Sequence, residues 1–380
     1  MKNNNGLVFV CFVMLFIFFT DGLKSAEIIK KVKFSSELIK QLDQIIENEM
    51  VKSNLPGVVV GIWIPGKGDY LKAFGKADIE KKKKRLFDDV FRIASITKTF
   101  TATVILSLVD DGLLKTSDPL SKFLPDFPNG EKITIRNLLR MRSGIVDFAD
   151  KAILKEWYSK PHKNYPLDTL IDIMKSRGKN FLEAGKQTVY CNGNYTILAK
   201  VAEIVSKKSF ASLVKEKVIK PLNLTSTLYA EADNFYLGGS NRGYSWEQIK
   251  KQFIDKTEIN TSCTNAAGAI ISNMTDLRKY AEALYKGTLL SKETQKHRLE
   301  TETFKGASSV VQYGEGILKE GGFYGHNGTI FGFSTEMFYL PAEDAVIVIN
   351  VNRLDLDDKS RSGKVFVLIS KLIFPEHVSW

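Results

Sequence analysis

The chain has 380 residues, of which 44% are hydrophobic and 26% charged, and it carries a formal net charge of +11. That composition can bury a sizeable core and excludes a disordered or collagen-like chain. The positive surplus is scattered, and its densest run, Lys81 to Arg85, has neither interleaved aromatics nor a binding motif, so it reads as a solvated loop and nucleic acid is not an expected partner.

The N-terminus opens with Lys2 and an apolar run from Leu7 to Phe19. This is shorter than the about 20 residues that a membrane-spanning helix needs, and it fits the core of a signal peptide. Residues 1–26 are therefore expected to be a signal peptide, or alternatively an uncleaved N-terminal anchor, and the protein to be secreted or periplasmic. Beyond Cys11, inside that run, only Cys191 and Cys263 occur, which makes two separate thiols a better expectation than a disulfide framework.

Ser36 to Lys52 has the three-four apolar spacing of an amphipathic helix, with Leu38, Ile39, Leu42, Ile45, Ile46 and Met50. "GVVVGIWI" at 57–64 reads as a buried strand, and "YLKAFGKA" returns after a Pro-Gly turn. From Ser95 to about Gly112 the pattern is a helix with little polar face. Residues 113–260 mix short helices and loops, among them "IRNLLRMRSGI" and "YTILAKVAEIVSKKS". Strand patterns come back as "YGEGILKE", "FYGHNGTIFG", "FSTEMFYLP" and "AVIVINVNR", before a last helix in "KVFVLISKLIF".

Strands at both ends around a helical middle predict an α/β fold of the α+β type. One antiparallel sheet is formed from both chain termini and flanked by helices, with an inserted, mostly helical lobe. The expected domain spans 35–375, with a sheet lobe at about 35–90 and 262–375 and a helical lobe at about 91–261.

No G-x-S-x-G, Walker-type, G-x-G-x-x-G or H-E-x-x-H motif occurs, and the four histidines are too dispersed for a zinc site. The stretch "RIASITKTFTA" places Ser95 three residues before Lys98. Serine at a helix start is commonly a cap, and the same spacing recurs at Ser176/Lys179 and Ser212/Lys215. The setting of Ser95 differs. The helix it opens is apolar, its N–H lies at the positive helix end, and Lys98 stands one turn on along the same face. A desolvated lysine favours the neutral amine that a base must be.

At this point the chain resembles the serine β-lactamases, D-alanyl-D-alanine carboxypeptidases and related esterases, whose fold is β-lactamase/transpeptidase-like. "SITK" is similar to their first motif, Tyr190-Cys191-Asn192 to their Tyr-x-Asn motif, and His326-Asn327-Gly328 to their third, Lys/His-x-Gly motif. "AAGAIISNMTDLRKYAEAL" and "KVIKPLNLTSTLY" also resemble family text, so that the likeness covers roughly residues 35–350. The Tyr-x-Asn and His-x-Gly pair points to the branch of class C β-lactamases and secreted carboxypeptidases.

The resemblance implies a Ser95 acyl-enzyme. Lys98 and Tyr190 would share the proton work, with a lysine ammonium lowering the tyrosine's pKa. Asn192 would orient Lys98 and the substrate amide. The backbone N–H groups of Ser95 and Thr329 would form the oxyanion hole. His326 and Thr329, beside Gly328, would face the substrate's carboxylate end. No cofactor and no metal are implied. Three departures stand out: Arg140-Met141-Arg142 before Ser143, "EAG" at 183–185, and Cys263, which could reshape the acyl pocket.

The expected activity is D-alanyl-D-alanine carboxypeptidase-like cleavage of peptidoglycan stem peptides. The alternatives are an esterase or other peptidase on the same scaffold, then a β-lactamase, then a non-hydrolysing penicillin-binding protein. Expected partners are a small peptide, ester or β-lactam substrate and peptidoglycan. The membrane enters only through an uncleaved N-terminal segment.

Overall fold

The computed structural model describes residues 34–178, 181–230, 241–355 and 360–378. The N-terminal apolar run and Cys11 lie outside the described residues. The first helix spans Ser36–Lys52, and Ser35 caps it by accepting the Leu38 N–H at 3.1 Å. Leu42 and Ile46 on its inner face are fully buried.

All eight residues of the strand Gly57–Ile64 are buried. An unbroken apolar run suits a strand covered on both faces, and its neighbours explain that cover. It lies inside a nine-stranded sheet with Gly68–Asp78 and Lys83–Lys84 on one side and Ala345–Val351 on the other. Beyond Ala345–Val351 follow Phe333–Leu340, Phe323–Ile330, Leu318–Glu320, Val311–Tyr313 and Glu302–Thr303. Every pairing is antiparallel. The two chain ends meet at the centre, Val58 opposite Val351 and Trp63 opposite Val346. The sheet is thus built from both termini, as the strand pattern predicts.

Two helices cover its opposite faces. Phe338 packs on Phe366 of the helix Arg361–Ile373, with ring centroids 4.9 Å apart. Its neighbour Tyr339 stacks on Tyr285 of the helix Met274–Lys286, also at 4.9 Å. Consecutive residues of a strand point to opposite faces, so the helices sandwich the sheet.

Between the two sheet-forming stretches, the described residues form helices at Thr97–Asp110, Ile135–Leu139, Lys151–Ser159, Leu167–Ser176, Gly193–Ser206 and Phe210–Val214. Thr97–Asp110 is the most enclosed, with Phe100, Val104, Ile105 and Leu106 fully buried.

Three local details differ from the sequence pattern. "YGEGILKE" is two strands joined by a turn, because Gly316 adopts φ +73 and packs where a Cβ would meet Ala102 Cβ at 2.1 Å. The helix in "IRNLLRMRSGI" stops at Leu139, and Met141 turns the chain with φ +58. Tyr244–Glu247 and Gln252–Asp255 form a hairpin inside the stretch read as helices and loops.

Candidate active site

The chain approaches Ser95 through a strained corner. Ala94 has φ +50, in the left-handed region that non-glycine residues rarely adopt. Such outliers cost on the order of 1–3 kcal/mol and persist where the surroundings over-determine them. Ser95 sits in the tight turn Ala94–Ile96, one residue before the cap of the helix Thr97–Asp110, and the residue in the cap position is Ile96. Ser95 is therefore not a helix cap.

The strand Phe323–Ile330 fixes this corner from the other side. Its neighbour Leu318–Glu320 pairs with it only as far as Gly325. From His326 onward that edge is released from the sheet and lies against the Ser95 turn. Gly328 makes the approach possible, since a Cβ there would fall 2.3 Å from the Ile93 carbonyl oxygen and 2.9 Å from the Ser95 nitrogen.

Lys98 is fully buried, and its Nζ lies 2.9 Å from each of Ser95 Oγ, Asn192 Oδ1 and the Ala267 carbonyl oxygen. Burial lowers its pKa to about 7, against the opposing pull of Asp147 and Cys191. A neutral amine has two N–H donors and one lone pair. The Asn192 and Ala267 oxygens can only accept, so they take the two N–H groups and leave the lone pair for the Ser95 hydroxyl.

Asn192 is held in this orientation by a residue that the sequence reading did not pick out. Asp147 Oδ2 accepts from the Asn192 backbone N–H at 2.7 Å and from Nδ2 at 2.9 Å. With Nδ2 committed to Asp147, Oδ1 must face Lys98. Asp147 falls in "SGIVDF", shortly after the departure Arg140-Met141-Arg142, and nothing local marks it as a partner of a residue 45 positions on.

Tyr190 stands at the mouth of the site, 41% exposed, with its ring centroid 4.8 Å from Lys98 Nζ. Burial around its hydroxyl, followed by the neighbouring Tyr313, pushes its pKa well above the ordinary value. The expectation that a lysine ammonium would lower the phenol's pKa is overturned. Desolvation is the largest influence on both groups, so it favours the neutral amine and the neutral phenol together.

His326 is 1% exposed and does not open into the cleft. Its Nδ1 lies 2.5 Å from the Asn327 carbonyl oxygen, and its Nε2 lies 3.2 Å from the Tyr313 hydroxyl. A carbonyl only accepts, so Nδ1 carries the proton and Nε2 accepts from Tyr313. Burial and then the Lys98 charge lower its pKa to about 3, which keeps the ring neutral. The expectation that His326 faces the substrate is corrected: both ring nitrogens are engaged behind the site. Tyr313 opens "YGEGILKE" and is the second residue the sequence reading missed, its pairing being set by the register of neighbouring strands.

The rival serines have no such surroundings. Ser176 donates its hydroxyl to the Ile173 carbonyl oxygen, and Lys179 lies outside the described residues. Ser212 accepts from Ser209 in a surface cap.

Residues 42–368 match the Beta-lactamase family. The chain belongs to that family. Among its curated relatives, Protein flp of Staphylococcus aureus (strain N315) is 27% identical over 334 residues, covering 84% of this chain. Penicillin-binding protein 4* of Bacillus subtilis (strain 168) is 25% identical over 308 residues, covering 76% of this chain. The chain spans 64% and 66% of the lengths of these two relatives. Among solved structures, the D-stereospecific amidohydrolase from Streptomyces sp. is similar with TM-score 0.76 and 26% identity, over 88% of this chain and 98% of that one. The D-amino acid amidase from Ochrobactrum anthropi SV3, complexed with L-phenylalanine amide, has TM-score 0.78 and 25% identity, over 89% and 98%.

As in this family's serine hydrolases, the residues are arranged for acyl transfer. Beside Ser95 lies a cavity of about 330 Å³, onto which Tyr190, Asn192 and Thr329 also open. Its other walls carry Phe148, Trp157 and Phe331, which the sequence reading did not pick out. Cys263 does not line it. Its buried Sγ lies 3.1 Å from the Asn260 carbonyl oxygen, so the expected reshaping of the acyl pocket does not occur. Cys191 is buried, and both thiols are free. Among the described residues, no group of metal-type ligands stands together and no helix is long and apolar enough to cross a membrane.

Proposed function

We propose that this protein is a secreted serine hydrolase that cleaves small amides and peptides through a Ser95 acyl-enzyme, with D-alanyl-D-alanine carboxypeptidase-type cleavage as its leading activity. The observation that carries the reading is the Lys98 amine, with both N–H groups taken by oxygens that only accept and its lone pair turned to Ser95 Oγ.

In the proposed reaction Ser95 Oγ bonds to the substrate carbonyl carbon while its proton passes to Lys98 Nζ. The carbonyl electrons move to oxygen, which the Ser95 and Thr329 N–H groups stabilise. Loss of one such donor typically costs about 2.7–4 kcal/mol of barrier. The tetrahedral intermediate collapses, the bond to the leaving group breaks, and Tyr190 O–H protonates that group. The Lys98 ammonium restores the Tyr190 proton. Water then attacks the acyl carbon, its proton is taken up by the same pair, and Ser95 Oγ is reprotonated as the acid leaves.

The D-configured substrates in the names of the structural relatives, and the Penicillin-binding protein 4* likeness, support a small substrate with a D-residue at the scissile bond. A second reading, an esterase or amidase of bulkier substrates, is favoured by the aromatic cavity, which is larger than a D-alanine methyl requires. Secretion rests on the apolar run Leu7 to Phe19. N-terminal sequencing of exported protein should begin near residue 27, whereas an intact Met1 would leave the anchor alternative.

The test is a substrate panel: a D-Ala-D-Ala peptide, D- and L-phenylalanine amide, p-nitrophenyl acetate and a fluorescent penicillin. Turnover should be accompanied by a mass adduct on the Ser95 peptide and should disappear in Ser95→Ala. Retained turnover in that variant, or an adduct on Ser176 or Ser212, would sink the reading.

A further inference from the structure

The run Arg140-Met141-Arg142, one of the departures from the resembled motif text, follows the helix Ile135–Leu139 directly. Met141 is 1% exposed and holds φ +58, a conformation rare for so large a side chain. From that turn its carbonyl oxygen accepts the Val189 N–H at 2.8 Å, and its Sδ accepts the Cys191 N–H at 3.4 Å. Both chain neighbours of Tyr190 are therefore fastened to Met141.

The two arginines beside Met141 reach across to the sheet. Among the described residues, the strand Glu302–Thr303 ends that sheet and pairs only with Val311–Tyr313. Arg142 pairs with Glu302 and also donates to the Gly185 carbonyl oxygen. Arg140 lies 3.6 Å from Glu302 Oε1, 2.9 Å from Glu300 Oε2 and 3.4 Å from Oε1 of the buried Glu315. The same sheet edge touches the Tyr190 segment. The Lys305 N–H donates to the Thr188 carbonyl oxygen at 3.0 Å. The Phe304 ring lies 6.4 Å from the Tyr190 ring and 5.4 Å from the Tyr313 ring, centroid to centroid.

Tyr190 thus has two supports, Met141 under its backbone and Phe304 against its ring, and the ion pairs tie one support to the other. The Glu302 side chain is 39% exposed. Ion pairs this open to water contribute little to stability. A proton donor, by contrast, loses much of its effect when it is displaced by a fraction of an ångström. The cluster is therefore suited to setting position.

We infer that Arg140, Arg142 and Glu302 form a clamp between the helical lobe and the sheet edge that positions Tyr190 to protonate the leaving group. The inference rests on the Ser95 acyl-enzyme reading and adds three positioning residues to it, all acting through Met141 and Phe304.

The experiment varies the leaving group at a constant acyl group. Acetate esters of p-nitrophenol, phenol and trifluoroethanol depart with an increasing need for a proton, and kcat/KM reports acylation of Ser95. Tyr190→Phe sets the full effect of losing the donor. In Glu302→Gln, kcat/KM for the trifluoroethyl ester relative to the p-nitrophenyl ester should fall about tenfold, part of the about 10²–10⁴-fold that a positioned acid contributes. Arg142→Lys, a milder change that keeps the charge and loses the planar fork, should fall between wild type and Glu302→Gln. A merely structural role would lower all three esters by one common factor, and thermal unfolding of the same samples shows that folded protein is compared. If Glu302→Gln and Arg142→Lys keep the wild-type ratio, or if Tyr190→Phe itself leaves it unchanged, the clamp is overturned while acylation of Ser95 still upholds the acyl-enzyme reading. If none of the esters acylates Ser95, that reading itself fails.

Discussion

Asp147 Oδ2 accepts two hydrogen bonds from Asn192, one from the backbone and one from the side-chain amide, and so turns Asn192 Oδ1 toward Lys98. One carboxylate therefore sets both the orientation and the electrostatics of the lysine, since its charge also pulls the Lys98 pKa upward.

Replacing that carboxylate should have two separable effects. Asp147→Asn offers Asn192 an amide in place of an obligate acceptor, and acylation should slow by about tenfold or more, as expected when a buried charge-assisted hydrogen bond is lost. Removing the negative charge also lowers the Lys98 pKa further. Because the base is the neutral amine, the rising limb of the acylation pH profile should move to lower pH. Stopped-flow acylation from pH 5 to 9 checks both, and Asp147→Glu should restore the limb toward its original position. An unmoved limb in Asp147→Asn would leave Asp147 a purely structural role.

Lys98 and Tyr190 should behave as one proton-transfer unit. Lys98→Ala and Tyr190→Phe should each remove most acylation, and the double variant should be little worse than either single one. The wild-type rate should rise with pH through an apparent pKa near the value of about 7 to which burial brings Lys98. His326 should contribute no limb in this range, because its ring stays neutral down to about pH 3. Fully additive losses, or a His326→Ala variant as dead as Lys98→Ala, would contradict this arrangement.

Gly328 should tolerate no side chain. The Cβ of Gly328→Ala would meet the Ile93 carbonyl oxygen at 2.3 Å, and backbone cannot move aside as a flexible side chain can. The strand must back away from the Ser95 turn, which separates Thr329 from Ser95. Overpacking of this kind costs about 1–3 kcal/mol of stability. Acylation should fall far more, by about a hundredfold, the order of losing an oxyanion donor. Thermal unfolding and acylation rates measured on the same sample separate the two.

A buried carboxyl away from the site should govern the pH dependence of stability. Burial, then the neighbouring Glu320, raises the Glu336 pKa to about 8, while Ser360 and Ser362 donate to its Oε1. The folded state therefore holds a proton that the unfolded state releases above about pH 4.5. Stability from this group is full below that pH and is lost as pH rises through about 8. Glu336→Gln keeps an oxygen acceptor and cannot ionise, so its melting temperature relative to wild type should rise between pH 5 and pH 8.5. A constant difference across that range would refute the assignment.

Local chemistry in the sequence determined the elements and the nucleophile's setting. The unbroken apolar run at 57–64 specified a strand covered on both faces, and strand patterns at both ends required a shared sheet. The apolar stretch after Ser95 marked Lys98 as a desolvated near neighbour, while the turn Ala94–Ile96 that aims Ser95 at it lies before the helix and is held by distant elements. What remained for the tertiary structure were relations between residues far apart in the chain. Asp147 meets Asn192, and Tyr313 meets His326, only after loops and strands of other regions have been placed. The pKa shifts of Lys98, Tyr190 and His326 depend on burial by distant elements, which is why the sign expected for Tyr190 came out reversed. The aromatic cavity was equally invisible in the sequence: Phe148, Trp157 and Phe331 belong to three separate segments, and only packing brings their rings together.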